Sequence, residues 1–208
     1  MGRIKSGLLG GFSGKIGPII GYQVRGKNFI KGIPKKYSKE PTPAQLASRL
    51  RFALIQNWRS EFTQIFAISF RNHQYVHNPQ NAAHRYNAAL VQGEYPNYYL
   101  EPKNACISMG TLALLQELKI ENVRAGEISL TWDLDTSGNG KRLDFIGIVS
   151  WNPANKLINS NLTSARRKDE KLSYQWDATG ESTPTHLYLA CFSEDWSNAS
   201  ITHYLGAF

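Results

Sequence analysis

From its N-terminus the chain sets short apolar groups between glycines: Leu8-Leu9, Ile16, Ile19-Ile20, Tyr22-Gln23-Val24 and Asn28-Phe29-Ile30. Nine of the seventeen glycines fall in residues 1–41. Alternation on either side of Arg25-Gly26-Lys27-Asn28 predicts a β-hairpin. A hairpin alone is marginal in water, so this one requires a partner surface. Ile33-Pro34, the run Lys35-Lys36-Tyr37-Ser38-Lys39 and Pro41 predict an extended connection. The period then changes. Thr42, Pro43 and Gln45 have the spacing of an N-cap, a first helical position and a capping box. Leu46, Leu50, Ala53, Leu54 and Trp58 follow as an apolar stripe. A second stripe, Phe52, Ile55, Phe62 and Phe66, predicts a helix covered on two sides. Asn78-Pro79, then Ala82-Ala83, Tyr86 and Ala89-Leu90 before Gly93, predicts a second helix.

Beyond residue 95 the period shortens again. Glu127–Trp132, Asp144–Trp151, Lys171–Trp176 and His186–Phe192 alternate wholly or in part, and Ser200–Leu205 reads as a last strand. Turn-rich stretches, 135–140, Asn152-Pro153 and 179–184, separate them. Several short strands without intervening helices describe an antiparallel β-sandwich, and their order resembles a fibronectin type III or immunoglobulin-like module. The expected class is α+β: a basic glycine-rich arm with a hairpin (1–41), a helical segment (42–94) and the sandwich (95–208).

Composition sharpens this picture. Of 208 residues, 41% are hydrophobic and 12% aromatic, which excludes a wholly disordered or collagen-like chain. The net charge of +8 is unevenly placed: residues 1–60 hold twelve Lys or Arg against Glu40 alone, and residues 61–208 hold twelve against fifteen acids. The basic character therefore belongs to the N-terminal part. No run of about 18 apolar residues exists, and the N-terminus lacks the apolar stretch of a Sec signal, so synthesis in the cytoplasm without a membrane span is expected. Met1-Gly2 with Ser6 fits the short N-myristoylation pattern. Cys106 and Cys191 are too few for a disulfide framework or a thiolate zinc site, and their pairing is left open.

The string Gly7-Leu-Leu-Gly-Gly-Phe-Ser-Gly-Lys-Ile-Gly17, followed by Gly21-Tyr22, Gly26-Lys27, Pro34 and Pro41-Thr-Pro-Ala-Gln-Leu-Ala-Ser-Arg-Leu-Arg-Phe52, resembles a Bacteroidota family known as a domain of unknown function. The similarity continues through Tyr86–Ala89, Gly93–Pro96, Ser108-Met-Gly110 and Leu130-Thr-Trp132. It implies a shared architecture and no activity or cofactor.

Candidate chemistry is sparse. Gly14-Lys15 is followed by Ile16, and Leu9 stands where a Walker A loop needs glycine. The loop carrying Asp133, Asp135, Ser137 and Asp144 places oxygens at positions 1, 3, 5 and 12, with Gly138 at 6, as a calcium loop does. Lys141 at position 9 and Asp at position 12 favour an ordinary inter-strand turn. His73, His77 and His84 would align on one continuous helix, but Pro79 interrupts it and no H-E-x-x-H is present. No nucleophile elbow, Cys-His pair or paired carboxylates stand out, so a non-enzyme is expected.

Three functions remain as expectations. The first is self-assembly into homo-oligomers or a larger structure, the arm inserting Leu8, Leu9, Phe12, Ile19 and Ile20 and pairing strands around Tyr22 and Phe29. The second is association with nucleic acid through Lys15, Arg25, Lys27, Lys31, Lys35 and Lys36, with aromatics interleaved. The third is a carbohydrate- or other ligand-binding module using Trp151, Trp176 or Trp196 as stacking platforms, and these also suit a sandwich core.

Overall fold

The computed structural model describes residues 3–4, 11–24, 26–35, 40–73, 78–124, 126–134, 138–177 and 183–208, without the side chains of residues 3 and 4. Leu8, Leu9, Arg25, Lys36, His77, Asp135 and Ser137 lie outside that set. The chain divides into two compact units, residues 1–42 and 43–208.

The first unit is a four-stranded antiparallel meander of β1 (Arg3–Ile4), β2 (Phe12–Ile16), β3 (Ile19–Val24) and β4 (Lys27–Gly32), in that order. The predicted hairpin is present with a tighter turn. Val24 pairs with Lys27, which leaves a two-residue loop in which Gly26 takes φ 76°, the left-handed value that glycine supplies without steric cost.

The second unit opens with α1 (Pro43–Glu61) and α2 (Thr63–Ser69), followed by a 3₁₀ turn at Arg71–His73 and α3 (Pro79–Ala88). The two-sided helix expected through Phe66 is corrected in two ways. It breaks at Phe62, and its first turns are exposed: Leu46, Leu50 and Phe52 face solvent, and the first buried side chain is Ile55. About 18 Å of helix, at 1.5 Å per residue, therefore precedes the core. Helix α3 starts as expected, with the Asn78 side chain accepting the Gln80 N–H at 2.9 Å. It ends at Ala88, because Gly93 belongs to the small hairpin β5 (Gln92–Glu94) and β6 (Asn97–Tyr99).

The sandwich follows. One sheet has the order β11-β8-β7: β11 (Lys171–Gln175), β8 (Glu127–Asp133) and β7 (Gln116–Arg124). The other has the order β10-β9-β12-β13: β10 (Leu157–Arg166), β9 (Phe145–Asn152), β12 (His186–Phe192) and β13 (His203–Ala207). Every pairing is antiparallel. Between the sheets lie Ile128, Leu130 and Trp132 of β8, Leu172 and Tyr174 of β11, Ile146 and Ile148 of β9, and Leu187, Leu189 and Cys191 of β12. The opposite face of the four-stranded sheet is not solvated. Val149, Trp151 and Tyr188 pack there against Trp58, Phe62, Ile65, Phe66 and Phe70 of the helices. Strands β9 and β12 are therefore buried on both faces, whereas β8 and β11 alternate and keep Ser129, Thr131, Ser173 and Gln175 outward.

The helical segment and the sandwich share one core, so residues 43–208 form one body of three layers. Polar ties reinforce it. Glu61 accepts the Trp151 indole N–H at 3.0 Å, and the fully buried Asn87 bridges α3 to both backbone groups of Cys106. No helix among the described residues is long and apolar enough to cross a membrane.

Candidate assembly interface

Register assigns the arm two faces. Side chains alternate along a strand, so Ile20, Tyr22 and Val24 share a face with Lys27, Phe29 and Lys31, and Lys15, opposite Ile20, joins them. On this face the Tyr22 and Phe29 rings stack at 5.6 Å, and Lys31 Nζ sits 5.2 Å from the Tyr22 centroid. The other face carries Ile16, Ile19 and Ile30, with Ile30 64% exposed and Ile16 41%. Gly21 is buried between them. A Cβ there would meet the Phe12 ring at 2.6 Å, so a glycine is needed for β2 to fold over β3.

Of the residues expected to mediate assembly, Phe12, Ile19 and Ile20 are partly buried within the arm, and Tyr22 and Phe29 are exposed and stacked. Lys15, Lys27, Lys31 and Lys35 are exposed. The structure adds exposed apolar residues that were not among those expected to mediate assembly: Val24, Ile30 and Ile33 in the arm, and Leu46, Leu50 and Phe52 at the start of α1. Among the described residues none before 43 belongs to the three core clusters of the body.

Edges matter as much as faces, because an unpaired strand is a template for another chain. In the body, the pairings of three edge strands are irregular: β7 shifts register twice, β10 once and β13 once. Among the sandwich edges strand β11 is the exception, with five consecutive pairs to β8 from Lys171↔Thr131 to Gln175↔Glu127. Its free side borders an open groove of about 1200 Å³ whose opposite wall is Asn159, Ser160 and Asn161 of β10. In the arm, the outer strand β4 is also regular, with six consecutive pairs to β3.

The remaining candidates resolve differently. Asp133 is exposed at the end of β8. Asp144 is fully buried, its Oδ2 accepting the Lys141 N–H at 2.6 Å, so it braces the turn. Among the described residues no group of three or more His, Cys, Asp and Glu could hold a metal ion. His73 lies in the 3₁₀ turn against the Met109 carbonyl, and His84 lies on α3. Trp151 and Trp176 are buried in the core, the second of the two roles weighed for them, and Trp196 is partly buried and stacked on Phe145 at 5.0 Å. Cys106 and Cys191 are free and lie in separate clusters, and burial pushes their thiols up to about 12 and about 11.

The fold defines an α+β protein whose antiparallel sandwich carries a separate β-arm. The sequence matches the family of unknown function DUF6266 over residues 11–206, and the chain belongs to that family. The matched span takes in β2 through most of β13, arm and body together. Comparison with curated proteins gives no match. Among solved structures, a crystal structure of the chicken CNTN1 FN1-FN3 domains is similar at 11% identity and a TM-score of 0.33, covering 49% of this chain and 32% of that one.

Proposed function

We propose that this is a non-enzymatic structural protein that forms homo-oligomers or a larger assembly through its N-terminal arm. The observation that carries this reading is the arm itself: a sheet with exposed isoleucines on one face, a stacked aromatic pair on the other and a regular open edge. None of its described residues belongs to the core clusters of the body. Exposed apolar surface of this kind marks an interaction site. The buried cysteines, with raised thiols, are poor nucleophiles, which agrees with a non-catalytic role. Deleting residues 1–40 is expected to reduce the mass measured by light scattering to that of a single copy. An unchanged mass refutes the proposal.

A second reading rests on a different observation. Lys15, Lys27 and Lys31 share one face with the Tyr22–Phe29 stack, the combination of cations and rings that follows a single-stranded nucleic acid. It predicts binding that weakens log-linearly with salt. Absence of binding at low salt dismisses it.

A further inference from the structure

We propose that strand β4 of one copy adds to the edge of strand β11 of another copy, lying in the groove between β11 and β10. This rests on the assembly reading and names its acceptor.

The argument begins with which backbone groups are free. Trp176 donates its N–H to Gly126 O at 2.8 Å, and Trp132 donates to Glu170 O at 3.1 Å. Even-numbered residues of β11 therefore turn their backbone groups toward β8. Lys171, Ser173 and Gln175 direct theirs into the groove. In the arm, Ile33 donates to Pro18 O at 3.0 Å, so odd-numbered residues face β3, and Asn28, Ile30 and Gly32 face outward. Two regular strands thus offer matching sets of open groups at the same two-residue spacing. The other sandwich edges are interrupted by register shifts, a device that blocks strand addition, and the β5–β6 hairpin offers only three residues on each strand.

Charge at the groove agrees with this pairing, and the one cation of β11, Lys171, comes opposite the neutral Gly32. The groove lining includes Glu127 and Asp177 and no Lys or Arg among the described residues, whereas β4 carries Lys27 and Lys31 and no acid. In the antiparallel register that sets Ile30 opposite Ser173, Phe29 comes opposite Tyr174 and Lys27 opposite Trp176, so Lys27 lies at the Asp177 end of the groove with its side chain on the other face of the paired strands. Each outward pair exchanges two backbone hydrogen bonds, about six in all. Main-chain bonding supplies affinity in this mode, and side chains supply the choice of partner.

The test uses the full-length chain. Ser173→Pro removes an outward N–H and leaves the inward β8 ladder intact, and Ser173→Ala controls for the hydroxyl bond to Glu127. The proline variant is expected to weaken assembly at least tenfold in sedimentation, and the alanine variant less than twofold. Lys27→Glu with Lys31→Glu is expected to weaken it two- to fivefold at low salt and less at high salt, as attraction between β4 and the groove acids requires. A second measurement keeps the native backbone. Copies carrying Ile30→Cys are mixed with differently tagged copies carrying Ser173→Cys and treated with a short bismaleimide; Cys106 and Cys191 are buried, and parent protein is the control. A mixed-tag product supports the proposal. If deletion of residues 1–40 reduces the mass but Ser173→Pro does not and no mixed product forms, the acceptor is wrong and the assembly reading survives. If the deletion leaves the mass unchanged, the assembly reading itself falls. A cross-link that forms only when both cysteines are on the same copy overturns addition between copies.

Discussion

Arg167 is fully buried at 1% exposure, and its environment makes a quantitative claim. Its guanidinium donates to the Ala113 carbonyl at 2.6 Å and the Leu114 carbonyl at 3.1 Å, and its own carbonyl accepts the Trp132 indole N–H at 2.8 Å. Its backbone N–H reaches Asp144 O at 2.9 Å. The side chain thus fastens the lead-in to β7, and with it the edge of the three-stranded sheet. Replacement by Met keeps the bulk and removes the donors. Hydrogen bonds to a charged group contribute about 1.5–3 kcal/mol each, so two give about 3–6 kcal/mol, from which better burial of an apolar side chain returns about 1 kcal/mol. The partners are main-chain carbonyls, which no compensating substitution removes, and they are left buried without a donor. We expect Arg167→Met to cost about 2–5 kcal/mol, a fall in Tm of about 4–20 °C for a body of this size. Arg167→Lys should fall between parent and Met, because an ammonium cannot span both carbonyls as the guanidinium fork does. Urea unfolding followed by tryptophan fluorescence measures both, with Trp132 as a local reporter. A Met variant melting within about 2 °C of the parent would show that the buried guanidinium contributes no net stability and would refute this reasoning.

Other consequences can be checked by similar means. Asn87→Ala leaves the Cys106 N–H and carbonyl buried without partners and should cost about 2–4 kcal/mol in the same urea assay. Gly140→Ala would place a Cβ 2.6 Å from Arg167 Cζ, so it should lower Tm in the parent but much less in the Arg167→Met background. Burial lowers the pKa of His186, and burial with the Arg59 charge lowers that of His84. The unfolded chain then binds more protons as pH falls below about 6.5, so stability present at pH 7 should decline toward pH 5. The decline should be shallower in His186→Gln; a Tm independent of pH over that range would contradict it.

How much of this was legible in the sequence depends on where each strand lies. Strands β8, β9, β11 and β12 stood out because at least one face of each is buried, and His186–Phe192 matches the structure residue for residue. Strands β7 and β10 were missed. Gln116–Arg124 is exposed along nearly its whole length, and Leu157–Arg166 keeps Asn159, Asn161, Thr163 and Ser164 among its residues, so neither shows the alternation that a half-buried strand requires. The helical stripes were real, but periodicity shows only that a face is apolar and not where its cover ends, so the exposure of Leu46, Leu50 and Phe52 was invisible. For the candidate interface, the arm residues Phe12, Ile19, Ile20, Tyr22 and Phe29 were legible as apolar punctuation between glycines. The acceptor was not, because an unguarded edge is a property of pairing. Lys171–Gln175 reads like any sandwich strand until its neighbours are known.

The proposed contact also constrains the form of the assembly. Donor β4 and acceptor β11 are different surfaces, so the contact is heterologous, and each copy that docks its arm still presents a free groove, while each copy that accepts one still presents a free arm. Growth then continues until a ring closes or an open chain runs on. A two-fold dimer would need both contacts to form at once between the same two copies, and only that geometry would stop at two. The apolar arm face, with Ile16, Ile19 and Ile30, and the exposed start of α1 are not used by strand addition itself, so they remain available to set the angle between successive copies. Substituting Ile30 with Ser should therefore alter the distribution of oligomer sizes at a given concentration more than the strength of the individual β4–β11 contact, because its backbone groups are retained. Sedimentation velocity over a concentration series separates the two effects: a ladder of species should persist in the Ser variant with changed proportions. A single dimer boundary in the parent at all concentrations would exclude open head-to-tail growth and leave only the reciprocal two-fold exchange of arms.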